Sequence, residues 1–193
     1  MIAVVDTGGA NLASVIDALE RLGAAAELTK DAARIKASPR VILPGVGNAA
    51  DAMKRLASAG LVETLRGLTQ PVLGICLGMQ LLFESSTEGP ARCLGVLPGE
   101  VARLKGPLPV PHMGWNSVKA DGSEALLAGV PPNSFFYFVH SYRAPEGPWV
   151  TASAEYGESV PAVVRKGNFS GVQFHPERSA AAGSKVLANF LKS

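Results

Sequence analysis

Three short segments carry residue types that could do covalent chemistry together. In Gly74-Ile75-Cys76-Leu77-Gly78 a cysteine occupies the nucleophile's place in a G-x-nucleophile-x-G elbow, between an apolar run and a helical pattern. A sharp strand-to-helix turn of this kind strains the nucleophile's backbone and lifts its side chain clear of a sheet. It also points a helix N-terminus at the sulfur, which raises the thiolate fraction. The N–H of Leu77, just after the nucleophile, is placed to donate to an oxyanion. A thiol nucleophile needs a base, and the chain offers His112, His140 and His175. His175 has the strongest claim, because residues two apart in extended chain share a side and Glu177 can therefore meet its imidazole. Such a carboxylate fixes the tautomer and stabilises the imidazolium, while Pro176 restricts the backbone between them. Cys76, His175 and Glu177 thus make a nucleophile, base and orienter.

Each piece alone also has a plainer reading. A free cysteine is most often a small buried hydrophobe, and His-Pro-Glu can be a surface turn. His140 ends the apolar run Phe135–Val139, where a hydrogen-bonded structural histidine is expected. His112 sits in Pro-His-Met-Gly-Trp-Asn, a turn before a strand, and neither histidine has a carboxylate two residues away. The zinc deaminase signature shares H-x-E but requires a later Pro-Cys-x-x-Cys, and no cysteine follows His175. Cys76 and Cys93 make no disulfide framework and no zinc site, so neither metal nor cofactor is expected, and Cys93 reads as inert. Pro44-Gly45-Val46-Gly47 is a second candidate for oxyanion binding, since glycines after a strand let backbone N–H groups converge on an anion. Gly8-Gly9-Ala10-Asn11 misses the dinucleotide pattern and no Walker A segment occurs, which leaves phosphate binding unsupported.

The elements that must hold these segments alternate in the first half. Ile2–Val5, Ala25–Thr29, Val41–Leu43 and Pro71–Ile75 read as strands; Asn11–Leu22, Ala49–Leu68 and Gly78–Glu84 read as helices. Strand and helix in turn, with short connections, predict an α/β fold with a mainly parallel sheet covered on both faces. From Leu94 to Phe174 the helical period nearly disappears, and short apolar runs between Gly, Pro and Asn predict added antiparallel strands. Ser179–Phe190 closes the chain as a helix. Without a Pro/Ser-rich linker or a repeat, residues 1–193 are expected to form one domain.

Composition excludes several classes. With 47% hydrophobic and 18% charged residues, the chain can bury enough apolar surface to offset its ordering entropy, which argues against disorder. A net charge of +2 without a dense Lys/Arg block lacks the footprint of a nucleic-acid binder. The longest apolar stretch, Pro71 to Phe83, is broken by Gln80 and falls short of the roughly 20 residues of a membrane span. The start has no basic n-region and reaches Asp6 early, so a cytoplasmic location is expected.

Taken together, Pro44–Gly47, Gly74–Gln80 and Gly171–Glu177 resemble the three signature segments of class I (triad) glutamine amidotransferases. The resemblance implies a flavodoxin-like fold and glutamine as substrate. Cys76 would attack the side-chain amide, with His175 and Glu177 completing the triad and N–H groups of Leu77 and of Val46 or Gly47 holding the oxyanion. Gln80 with Gly45, Ser141 and Tyr142 would bind the amino-acid end. Asp6–Leu12, Pro111–Asn116, Tyr137–Tyr142 and Arg178-Ser179 are similar to one branch of that family, the glutaminase subunits of imidazole glycerol phosphate synthases. That similarity implies a heterodimer with a separate (β/α)₈-barrel cyclase that receives the ammonia, with Asn11, Trp115, Tyr137 and Arg178 at the interface and ammonia passage. Arg178 and Thr7 depart from the Lys and Tyr common in that branch. Glycines around Val46 make a flip of its peptide inexpensive, which would let the partner select the competent state. The alternatives are another class I glutaminase subunit, a cysteine hydrolase or peptidase of related α/β fold, and a non-catalytic binding partner that kept the fold.

Overall fold

Val41–Leu43 and Val72–Ile75 are apolar at nearly every position, as strands covered on both faces must be. In the computed structural model of the protein, which describes residues 1–8, 12–120, 122 and 124–193, both are inner strands of one eight-stranded sheet. The first half runs β1 (Ile2–Val5), α1 (Leu12–Arg21), β2 (Ala26–Thr29), α2 (Ala32–Ala37), β3 (Val41–Gly45), α3 (Ala49–Ser58), α4 (Val62–Arg66), β4 (Val72–Cys76) and α5 (Leu77–Gln80). The second half adds short strands β5 (Ser85–Ser86) and β6 (Ala91–Arg92), then β7 (Glu100–Arg103), β8 (His112–Ser117), β9 (Lys119–Ala120), β10 (Phe135–His140) and β11 (Tyr142–Arg143). It ends with β12 (Val150–Glu155), β13 (Ser159–Lys166), β14 (Phe169–Val172) and α6 (Ala180–Phe190).

The large sheet has the order β2-β1-β3-β4-β14-β13-β12-β9. Its first five strands are parallel, in the 2-1-3-4-5 order of flavodoxin-like sheets with β14 in the fifth place. The last three are joined antiparallel. Side chains that alternate along the strands build two cores. Val5, Val41, Leu43 and Val72 pack with Ile35, Met53, Leu56 and Leu65 from α2, α3 and α4 on one face. Val4, Ile42, Leu73 and Ile75 pack with Val15, Leu19, Leu187 and Phe190 from α1 and α6 on the other. The remaining strands form a two-stranded ribbon, β8 with β10, and a small sheet ordered β11-β7-β5-β6. No helix of the described residues is long and apolar enough to cross a membrane.

The α/β fold with added antiparallel strands is as the sequence predicts, and three local readings change. The single helix expected over 49–68 is two, because Gly60 at φ +67° ends α3 with Leu61 N–H on Leu56 O and Gly60 N–H on Ala57 O. The helix expected over 78–84 is the single turn α5. Beyond it the carbonyls of Leu81 to Glu84 accept from the returning segment 93–97 instead of from a further helical turn. Finally β14, read among the antiparallel additions, lies parallel to β4 and antiparallel only to β13.

The approach of α5 to the sheet leaves no room for side chains. A Cβ on Gly78 would sit 1.7 Å from the Leu43 carbonyl oxygen, and one on Gly74 would sit 2.7 Å from backbone atoms of Gly78 and Met79. Backbone on both sides of these contacts cannot yield without moving β3 or α5. Gly78→Ala is therefore expected to cost more than about 3 kcal/mol, or to abolish folding, as measured by urea unfolding.

Candidate active site

β3, β4 and β14 lie parallel, and their carboxyl ends, where ligands bind in sheets of this kind, bring the three chemical segments together. Cys76 is the last residue of β4 and stands before the first turn of α5 with φ +54° and ψ −109°. A β-carbon in that region is strained by about 1–3 kcal/mol. The strain is held by the Gly78–Leu43 approach, and it turns the thiol toward the end of the sheet. Cys76 is 6% exposed, with its sulfur 3.8 Å from the Val139 carbonyl.

His175 follows β14 and is fixed by its backbone: its N–H donates to Tyr137 O at 2.9 Å, and its carbonyl accepts from Ser179 Oγ at 2.6 Å. Ser179 Oγ in turn accepts from Tyr137 N at 2.9 Å, which locks β10 to this turn. The imidazole Nδ1–H donates to Glu177 Oε1 at 2.8 Å, and both side chains are almost wholly buried. Among the described residues Nε2 closes no conventional hydrogen bond, and the Cys76 side chain is the neighbour that acts on the ring beside Glu177. Burial by itself would lower the basicity of His175. Its interactions with Cys76 and Glu177 outweigh burial and raise its pKa to about 10. The imidazole therefore holds its proton through the neutral range.

A cavity of about 180 Å³ opens beside the sulfur, lined by Val46, Gly47, Cys76, Leu77, Gln80, Glu88, Val139, His140, Ser141 and Tyr142. It gathers from four separate stretches most of the residues that the sequence assigns to oxyanion and substrate. Gly47 has φ +96°, a conformation suited to glycine. Gly45 is placed differently: it borders a narrow gap with His175 and Glu177, and a Cβ there would press on Leu77 and Gly78 at 3.1 Å. Both N–H groups of Gln80 are occupied, by Tyr142 O at 2.8 Å and by Gln173 Oε1 at 2.9 Å, which leaves its carbonyl oxygen for a ligand. Trp115, Tyr137 and Arg178 meet on the ribbon, with an edge-on ring contact at 6.2 Å and the guanidinium 5.9 Å from the Tyr137 ring. Asn11 lies outside the described residues. A larger cleft of about 510 Å³, bordered by Lys119, Leu127, Pro131 and Phe136, has no cysteine or histidine among the described residues of its lining. Among the described residues no group of three His, Cys, Asp or Glu side chains is placed to hold a metal ion.

Three residues at the site went unread in the sequence. Glu88 is the cavity's carboxylate; it is half-buried, its Oε2 accepts from Ala49 N at 3.1 Å, and desolvation raises its pKa despite that bond. Gln173 is fully buried with its Nε2 3.6 Å from the Cys76 sulfur. Thr7, noted only as a departure, donates its hydroxyl to Pro44 O at 3.1 Å, beside the glycine loop. No spacing rule marks Glu88, whereas Gln173 stands two residues before His175, on the alternation that placed Glu177.

His140 is buried and hydrogen-bonded as expected, and its partner is His112, which was read as part of a turn and is instead the first residue of β8. His140 Nδ1 faces the Tyr142 carbonyl at 2.8 Å and must donate, so its Nε2 accepts from His112 Nδ1–H at 2.9 Å. His112 Nε2 then accepts from Asn116 Nδ2 at 3.2 Å. Burial lowers both pKa values, to about 4 for His112 and about 3 for His140. As pH falls below the ordinary 6.5, the unfolded chain takes up two protons that the folded chain refuses, so stability is lost with falling pH. His175, with its raised pKa, stays protonated in the folded state, and as its unfolded form also takes up a proton it offsets only a small part of that loss. Unfolding free energy should drop by about 2 kcal/mol between pH 6.5 and 5.5, readable from urea titrations at the two pH values.

The family model described as class-I glutamine amidotransferase matches residues 3–193. The chain is 53% identical over 193 residues to the imidazole glycerol phosphate synthase subunit HisH of Xanthomonas axonopodis pv. citri, covering 99% of this chain and 96% of that one. It is 50% identical over 201 residues to the protein of the same name from Shewanella loihica, covering 98% and 89%. Among solved structures, one described as a glutamine amidotransferase superposes with a TM-score of 0.77 at 22% identity, covering 99% and 97% of the two chains. A putative GMP synthase subunit from Thermoplasma acidophilum gives 0.75, also at 22%, covering 99% and 92%. These two likenesses concern the fold.

Proposed function

We propose, from the premise that this chain belongs to the class-I glutamine amidotransferase family, that it is the glutaminase subunit of an imidazole glycerol phosphate synthase and works through a Cys76-His175-Glu177 triad. The observation that carries the reading is the strained Cys76 beside the buried His175–Glu177 pair, at the wall of a cavity that also exposes Val46, Gly47 and Leu77.

The chemistry follows from the proton positions. The species that attacks the glutamine side-chain carbonyl is the Cys76 thiolate, with the protonated His175 imidazole beside it. The oxyanion of the tetrahedral intermediate is held by the N–H of Leu77 and one from Val46 or Gly47. His175 gives its proton to the departing nitrogen, which leaves as ammonia, and the thioester remains. The now neutral imidazole takes a proton from water, whose oxygen attacks the thioester; collapse releases glutamate, and His175 is again protonated beside the thiolate. Glu177 keeps Nδ1–H in place throughout and offsets the imidazolium charge. At the other end of glutamine, Glu88 is a desolvated carboxylate suited to the α-ammonium group, while Gln80 Oε1, Ser141 and Tyr142 complete the contact.

Ammonia passes to a (β/α)₈-barrel cyclase in a heterodimer, and the complex then has lyase activity. The Trp115, Tyr137 and Arg178 cluster faces that partner, together with Asn11. Met113, Trp115 and Phe135, each more than half exposed on the same ribbon, supply the apolar contact such an interface needs.

The test is glutamate release from glutamine by the purified chain, alone and with an imidazole glycerol phosphate cyclase carrying its nucleotide ligand. Release should rise strongly with the cyclase and fall at least about a thousandfold in Cys76→Ala. Activity that ignores the cyclase would keep the triad and overturn the pathway. No glutamate from a folded complex would overturn both. Glu88→Gln should raise KM for glutamine about tenfold with kcat little changed, since its contact is the same in ground and transition states.

A further inference from the structure

The buried polar groups around Cys76 have one self-consistent set of donors and acceptors. The Tyr142 carbonyl can only accept, and it receives His140 Nδ1–H at 2.8 Å and Gln80 Nε2–H at 2.8 Å. With Gln80 so oriented, its second N–H must meet an acceptor, which makes the Gln173 atom 2.9 Å away the carbonyl oxygen Oε1. The Gln173 NH₂ group therefore points at the Cys76 sulfur, 3.6 Å away. Gln173 itself is wholly buried and outside the lining of the substrate cavity. Behind Tyr142 the chain of bonds continues through His140 and His112 to Asn116 on β8, so Gln173's orientation is tied to the ribbon.

The sulfur's two forms see different neighbours. As a thiol it can donate weakly to the Val139 carbonyl at 3.8 Å. As a thiolate it has no proton to give, and that carbonyl repels it. An N–H fixed in a low-dielectric site then stabilises the anion more than the thiol.

We propose that Gln173 is a further catalytic residue, whose side-chain N–H holds the Cys76 thiolate ready to attack and receives it again when the thioester is hydrolysed. The proposal rests on the reading of Cys76 as nucleophile, and it adds to the triad a neutral donor that stays protonated through the cycle. Since His175 is the group that trades protons, Gln173 is the contact to sulfur that is the same before and after each transfer.

The test compares the parent chain with Gln173→Leu, which removes both amide groups, and Gln173→Glu, which keeps the acceptor for Gln80 and sets a carboxylate oxygen against the sulfur. The readout is the rate of alkylation by iodoacetamide as a function of pH, followed by mass spectrometry on the Cys76 peptide. Cys93, whose thiol burial pushes up to about 11, is the internal control. The profile should move to higher pH by about one unit in the leucine variant and further in the glutamate variant, with kcat for glutamate release down about tenfold or more and KM within about twofold. A merely structural role would lower the thermal midpoint and leave the profile of the folded protein in place. Should the leucine variant fail to fold, the nearly isosteric glutamate variant decides alone. An unmoved profile in a folded variant overturns the proposal. Because alkylation needs no turnover, a parent chain that releases no glutamate even in complex with the cyclase would sink the broader reading while the contact to sulfur was still measured.

Discussion

Everything at the site depends on one close approach, that of the α5 backbone to β3 across Gly78. Because the Leu43 carbonyl lies where a Cβ would be, α5 begins directly at the end of β4 with no loop between them. The chain must therefore reverse at Cys76, and the residue pays with a positive φ that only glycine adopts freely. Two consequences follow from the same turn. The thiol is presented at the end of the sheet, between β3 and β14, and the first N–H groups of α5 are left without helical acceptors beside it. Gly45, Gly74 and Gly171 are needed for the same reason: added carbons there would meet Leu77, the backbone of α5, or Met79.

A second constraint is dielectric. The groups around the sulfur are buried, and buried polar groups must be matched donor to acceptor. That requirement, more than any single distance, fixes the amide orientations of Gln80 and Gln173 and the tautomers of His112 and His140. It also separates the histidines by function. His112 and His140 face each other and a carbonyl, so burial keeps them neutral. His175 sits between a carboxylate and a sulfur, which leave it cationic despite its burial.

How much of this was legible in the sequence varies with the range of the interaction. Cys76 with its glycines, and His175 with Glu177, are contacts within a few residues, where period and turn chemistry speak directly. β1, β3 and β4 were legible because being buried on both faces leaves a nearly unbroken apolar run. The break at Gly60 was missed because apolar spacing continues across it, from Leu56 to Leu61 and Leu65, even though the helix ends there. The one-turn length of α5 depends on hydrogen bonds to residues 93–97, and the parallel pairing of β14 depends on β4, nearly a hundred residues earlier. Glu88 has no local signature, and Gln80 and Gln173, each beside a legible motif, meet only through the fold. Their meaning comes from being brought into one cavity or one buried chain by the fold.

The ribbon joins these two scales. Along β8 and β10 the side chains alternate, so Met113, Trp115 and Phe135 face outward while His112, Phe136, Phe138 and His140 face the core. Tyr137, paired with Trp115, also receives the His175 N–H on its carbonyl and gives its own to Ser179. The backbone that carries the exposed apolar face is thus hydrogen-bonded to His175, and the inward histidines are bonded to the carbonyl that orients Gln80. Each of these links is a direct hydrogen bond, so the ribbon and the surroundings of His175 and Cys76 belong to one bonded unit. Two short strands thus join the exposed apolar face to the surroundings of Cys76 and His175.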